Sequence, residues 1–118
     1  MKICVPAMGE TLNDPICLHF GRAPYFLIVD QEIGSVEVME NRGEHMGGVG
    51  KPPEHIAARG AKVMLCGGLG PKAIEMLRSY DIRTYVGAQG TVGDAIQQWT
   101  DGNLCSADEE NACKEHKH

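Results

Sequence analysis

Apolar and polar positions follow two rhythms along this chain, and the rhythm changes about midway. In the first half, Lys2 to Pro6 forms a short apolar run that Pro6 ends. Ala7 to Pro24 turns to Gly, Asn, Asp and Pro, the composition of a loop. Tyr25 to Asp30 is a continuous apolar run, which predicts an inner strand. Gln31-Glu32-Ile33-Gly34 makes a turn, and Val36 to Glu40 alternates as a strand with one solvated face does. A polar, glycine-containing loop, Asn41 to Gly50, closes this half.

The second half has helical spacing. Pro52-Pro53 suits a first helical turn, where proline needs no donor, and the helix runs to Arg59 with Gly60 as its cap. Lys62 to Cys66 is a buried strand. Pro71 opens a second helix with Ala73, Met76, Leu77 and Tyr80 on one stripe, and Arg83 to Val86 is the next strand. Thr91 caps a last helix with Asp94 at its positive end, and Val92, Ala95, Ile96 and Trp99 form its core stripe. The order is βββαβαβα. Right-handed crossovers make the first, third, fourth and fifth strands parallel, so the prediction is an α/β domain with a five-stranded mixed sheet and flanking helices.

This order sends four connections to one end of the sheet: Ala7 to Pro24, Asn41 to Gly50, Gly67 to Gly70, and Gly87 to Gly90. Open α/β sheets bind ligands at the carboxyl ends of their strands. The last two connections share the spacing G-x-x-G between strand and helix, either as a repeated unit or as two tight turns. Helix N-termini at Pro71 and Thr91 are expected to aim free N–H groups into this region, a favourable field for an anion.

The chemistry-bearing residues fall in the same region. His19 serves either as a ligand or as a cap of its loop, and Arg22 either meets an anion or pairs with a carboxylate. His45 is a ligand candidate in a loop that equally suits a solvated side chain. Cys17 lies two residues before His19; in an extended segment both face one side, so they are candidates to share a metal. Cys66 reads as packed, and Cys4 as a small buried hydrophobe. The tail from Cys105 to His118 is charged and poor in apolar residues. Its Cys113, His116 and His118 offer soft and borderline donors to a metal.

Composition narrows the function. The chain has 118 residues, which fits one domain, and 42% hydrophobic residues, enough for one core. Aromatics are only 5%, so Val, Ile, Leu, Met and Ala must fill that core. The formal charge of −5 argues against nucleic acid as a partner. No apolar run approaches the ~20 residues of a membrane span, and the N-terminus reads as no signal peptide; a cytoplasmic protein with reduced thiols is the expectation. Five cysteines form no disulfide framework, and without a CxxC pair thiol redox chemistry has little support. A two-metal nuclease needs carboxylates on the central strands, where Cys4 and Cys66 stand instead. A small-anion or nucleotide-binding regulatory module remains an alternative, motivated by the G-x-x-G turns, although neither is followed by the GK[ST] of a P-loop.

Three segments carry a family resemblance: His19-Phe20-Gly21-Arg22-Ala23-Pro24-Tyr25-Phe26, Gly68-Leu69-Gly70-Pro71-Lys72-Ala73 and Gly90-Thr91-Val92-Gly93-Asp94-Ala95. In order and spacing the chain resembles the dinitrogenase iron–molybdenum cofactor biosynthesis family, with its NifX-like and NafY-like carriers and the C-terminal domain of NifB. The likeness covers roughly residues 1–104 and leaves 105–118 as a tail. It implies a ribonuclease-H-like fold. It also implies non-enzymatic, transient binding of an iron–sulfur or molybdenum–iron–sulfur cluster or its precursor, with cluster donor and acceptor proteins as partners. His19 carries over as the cluster-facing residue, and the sheet-end placement adds Gly21, Arg22, Gly68, Gly70, Gly90 and Thr91 as cofactor-binding candidates around it.

Overall fold

The structure, a computed structural model, describes residues 1–41 and 52–107. Its elements are β1 (Lys2–Ala7), β2 (Tyr25–Asp30), β3 (Ser35–Glu40), α1 (Pro52–Ala58), β4 (Ala61–Leu65), α2 (Pro71–Ser79), β5 (Arg83–Val86), α3 (Val92–Thr100) and β6 (Cys105–Ser106). A 3-10 turn, Phe20–Arg22, interrupts the predicted loop between β1 and β2. No helix among the described residues is long and apolar enough to cross a membrane.

The strands lie in the order β3-β2-β1-β4-β5-β6. The pairs β1–β2 and β2–β3 are antiparallel, and β1–β4 and β4–β5 are parallel, as the connections predict. The sheet is six-stranded, not five-stranded: Cys105 and Ser106 pair antiparallel with Val86 and Tyr85. Two residues are too few to show a period, and the charged composition after them hides the strand.

Two other expectations change. β1 passes through Pro6 to Ala7, because β4 pairs with it only as far as Cys4. The Pro6 carbonyl accepts from Cys17 N at 2.9 Å, so its missing donor faces this returning segment and not β2. β3 has no single wet face: Met39 is buried on the side where Glu37 pairs with Arg59, while Val36 on the other side is exposed.

Successive strand residues point to opposite faces, and the core divides accordingly. On one face Cys4, Phe26, Ile28, Met64 and Cys66 pack against Ile56 of α1 and Leu77 of α2. On the other, Ile3, Val5, Leu27, Val63 and Leu65 pack against Val92 and Ala95 of α3. α2 and α3 therefore begin at the same end of the sheet but on opposite faces.

Candidate functional site

The loop after β1 and the turn after β4 enclose a cavity of about 580 Å³ on the α2 face. Its lining comprises Leu18, His19, Phe20 and Arg22 from the first, and Gly68, Leu69, Gly70 and Ala73 from the second. Two of the three sequence motifs, far apart in the chain, thus form one wall each.

The Phe20 ring fixes the first wall, packing on Phe26 with ring centroids 5.3 Å apart. The 3-10 turn closes through Arg22 N donating to the His19 carbonyl at 3.0 Å. His19 precedes the turn with extended backbone, and its imidazole makes no capping bond. The imidazole and the Arg22 guanidinium are both exposed, and neither has a hydrogen-bond or ionic partner among the described residues. The carboxylate pairing considered for Arg22 is absent there.

The second wall is built from free backbone donors. Gly70 is the N-cap of α2 and Pro71 its first residue, with no side chain capping the helix. The N–H groups of Gly68, Leu69, Gly70, Lys72 and Ala73 have no partner among the described residues. A Cβ at Gly68 or Gly70 would meet nothing within 4 Å, and neither residue has a left-handed backbone. The fold does not require glycine at either place. What glycine does there is leave the cavity open and its N–H groups uncovered. Donors, the positive end of α2 and a guanidinium converge with no lining carboxylate among the described residues, an arrangement that favours an anion.

The structure does not bring all the sequence candidates here. Gly90 and Thr91 stand at the head of α3, on the opposite face, so the two helix N-termini do not open into a common region. Cys17 and His19 diverge as well: the Cys17 thiol is buried in the core and donates to the His19 carbonyl at 3.3 Å, while the imidazole faces out. Cys66 is fully buried, with its sulfur 3.6 Å from the Tyr85 carbonyl. Burial pushes its thiol up to about 12, and burial together with Cys66 raises that of Cys4 further. No group of three or more His, Cys, Asp or Glu side chains fit to hold a metal ion occurs among the described residues. His45, Cys113, His116 and His118 lie outside them. Leu18, Phe20, Leu69 and Ala73 also line the cavity and were not among the site candidates; Phe20, Leu69 and Ala73 belong to the family motifs, whereas for Leu18 adjacency to His19 is the only signal.

The family model described as dinitrogenase iron–molybdenum cofactor matches residues 1–102. An uncharacterised protein of Methanocaldococcus jannaschii is 29% identical over 109 residues, covering 88% of this chain and 89% of its own length. The apo form of the orange protein from Desulfovibrio gigas superposes with a TM-score of 0.77 at 30% identity, over 90% of this chain and 92% of that one. A putative NifB protein from Thermotoga superposes with a TM-score of 0.75 at 28% identity, over 89% and 91%.

Proposed function

Because this chain belongs to the dinitrogenase iron–molybdenum cofactor family, we propose that it is a non-enzymatic carrier of an iron–sulfur or molybdenum–iron–sulfur cluster, or of a precursor, held in the cavity between the 3-10 turn and the head of α2. The strand order β3-β2-β1-β4-β5 is read here as the ribonuclease-H-like motif the family implies. The observation that carries the proposal is the meeting of an imidazole, a guanidinium and a row of N–H groups, none of them partnered among the described residues, around one open space.

These groups suit a sulfide-surfaced anion. The backbone donors and Arg22 hydrogen-bond to its sulfur atoms, and the head of α2 favours its negative charge. Among the described residues that line the cavity, His19 has the one side chain able to bind a metal directly, as a neutral imidazole. Phe20 and Leu69 give the guest apolar walls that keep water from part of its surface. A carrier must also release its guest, and exposure of His19 and Arg22 leaves the cargo within reach of a donor or acceptor protein.

Anaerobic titration with tetrathiomolybdate, followed by visible absorption, tests the reading. The wild-type protein should perturb the charge-transfer bands and saturate. Arg22→Ala should weaken binding by about tenfold, the loss of one charge-assisted contact, and His19→Ala by about as much through the loss of the imidazole contact. Spectra indifferent to both substitutions would remove the site. Calorimetry with inorganic phosphate separates the small-anion alternative: phosphate binding as tight as that of the thiometallate would favour it.

A further inference from the structure

The third family motif, Gly90 to Ala95, contributes nothing to the cavity lining. From Thr91 to Ala95 its backbone donors are all used within the protein, and only the Gly90 N–H has no partner among the described residues. Thr91 N donates to the Asp94 carboxylate at 3.0 Å, and Asp94 N to Thr91 Oγ1 at 3.1 Å. Val92 N donates to the Asp14 carbonyl at 3.0 Å, and Gly93 N to the Leu12 carbonyl at 2.9 Å. The Gly90 carbonyl accepts from Ile16 N at 3.0 Å, and Pro15 bridges Thr91. The first turn of α3, from Thr91 to Ala95, therefore leaves no backbone N–H for an anion. What the helix head holds is the loop that leads to His19.

That loop is fixed from two further directions. Inside it, the Asp14 carboxylate accepts from Thr11 N and Thr11 Oγ1, both at 2.9 Å. Gly9 lies so close that a Cβ would fall 2.3 Å from that carboxylate. On the sheet side, Met8 N donates to the Pro15 carbonyl and Cys17 N to the Pro6 carbonyl, each at 2.9 Å. The next residues are Leu18, His19 and Phe20 of the cavity. The Cys17 thiol and Arg22 N both donate to the His19 carbonyl. An unbroken series of bonds therefore runs from the head of α3, on one face of the sheet, to His19 on the other.

We propose that the head of α3 and the Asp14-centred loop are positioning elements that hold His19 and Arg22 at the cavity in the absence of cargo. The proposal rests on the carrier reading for its functional meaning. Its physical content is independent of that reading: loosening the loop around Asp14 must change the environment of His19. A site ordered beforehand binds more tightly, because the ordering entropy is not charged to the binding step.

The experiment uses the full chain with Asp14→Ala, Asp14→Asn and Thr11→Val, measured by tetrathiomolybdate titration and by the NMR resonances of the His19 imidazole and amide in the free protein. Asp14→Ala is expected to shift or broaden the His19 signals and weaken binding by about tenfold, with thermal unfolding still cooperative. Asp14→Asn keeps an acceptor oxygen and should recover both readouts in large part. Thr11→Val removes two bonds at an exposed position, Thr11 Oγ1 to the Asp14 carboxylate and Asn13 N to Thr11 Oγ1, should act in the same direction more weakly, and decides the matter if Asp14→Ala does not fold. His19 signals unmoved in Asp14→Ala, or in Thr11→Val where that variant stands in, overturn the proposal. Signals that move while affinity stays unchanged overturn it too. Should the wild-type protein fail to bind the thiometallate, the carrier reading falls, and the His19 signals alone decide whether the loop positions them.

Discussion

At the scale of single residues, Gly68 separates the needs of the fold from those of the site. It is exposed, its backbone is not left-handed, and a Cβ there would touch nothing. Gly68→Ala should therefore leave stability unchanged or raise it by less than about 1 kcal/mol, since alanine has less freedom to lose on folding. The new methyl would stand in the cavity and shield N–H groups, so tetrathiomolybdate affinity should fall several-fold. Denaturant unfolding and the same titration check the two halves; unchanged affinity would mean that the guest does not sit on this turn. The buried thiols give a prediction of another kind. An unfolded Cys66 thiol ionises near 9.0 and the folded one only near 12, so above pH 9 the unfolded state loses its proton first. The thiol's contribution to stability is complete below pH 9 and declines as pH rises toward 12. Urea unfolding between pH 7 and 11 should show a steeper alkaline decline for the wild-type protein than for Cys66→Ala.

At the scale of elements, strands and helices were legible where a face or run of side chains is buried. β2 and β4 read as continuous apolar runs because both their faces are covered, by α1 and α2 on one side and α3 on the other. The α3 stripe was equally plain, and the structure buries Val92 and Ala95 with Ile96 and Trp99 packed beside them. The α2 stripe was legible only in part: Leu77 is fully buried, but Tyr80 falls at the helix end with 38% exposure. The site was less legible than the frame. Local signals pointed to His19, Arg22 and the turn before Pro71, and these do meet. The same signals pointed to the turn before Thr91, where the resemblance between two G-x-x-G segments concealed opposite uses. Gly90 has a φ of +87°, and a Cβ on it would strike the Asp94 carboxylate at 2.5 Å, so the capping box demands that glycine. Gly68 and Gly70 answer to no such demand. Two of the bonds that saturate the α3 head belong to its own capping box, legible in Thr91 and Asp94, but the partners of Val92 N and Gly93 N are Asp14 and Leu12, about 80 positions upstream and beyond the reach of any local pattern.

At the scale of the molecule, the sheet lets a chain of net charge −5 present a cavity whose chemistry favours an anion, because the cavity end gathers Arg22 and backbone donors while no carboxylate among the described residues lines it. The sheet also needs its far edge closed, and β6 does this with very little chain. Ser106 and Cys105 pair with Tyr85 and Val86, and Ala107 N donates to the Thr84 carbonyl at 2.8 Å. Without them the parallel strand β5 would end the sheet with open backbone groups, an invitation to pairing between molecules. A boundary drawn after Leu104 on composition alone would remove this strand, whereas one drawn after Ala107 keeps it. Chains truncated after Leu104 should be less stable than chains truncated after Ala107 by roughly 1–3 kcal/mol, the net worth of two or three backbone hydrogen bonds. They should also scatter light sooner on warming. Urea unfolding of the two truncations side by side measures the difference, and equal midpoints would mean that the pairing at Tyr85 and Val86 contributes nothing to the stability of the sheet. The cavity lies across β4 from this edge, so the shorter chain, while folded, should still bind tetrathiomolybdate. Loss of binding at a temperature where it remains folded would show instead that the edge and the site are coupled through β4 and β5.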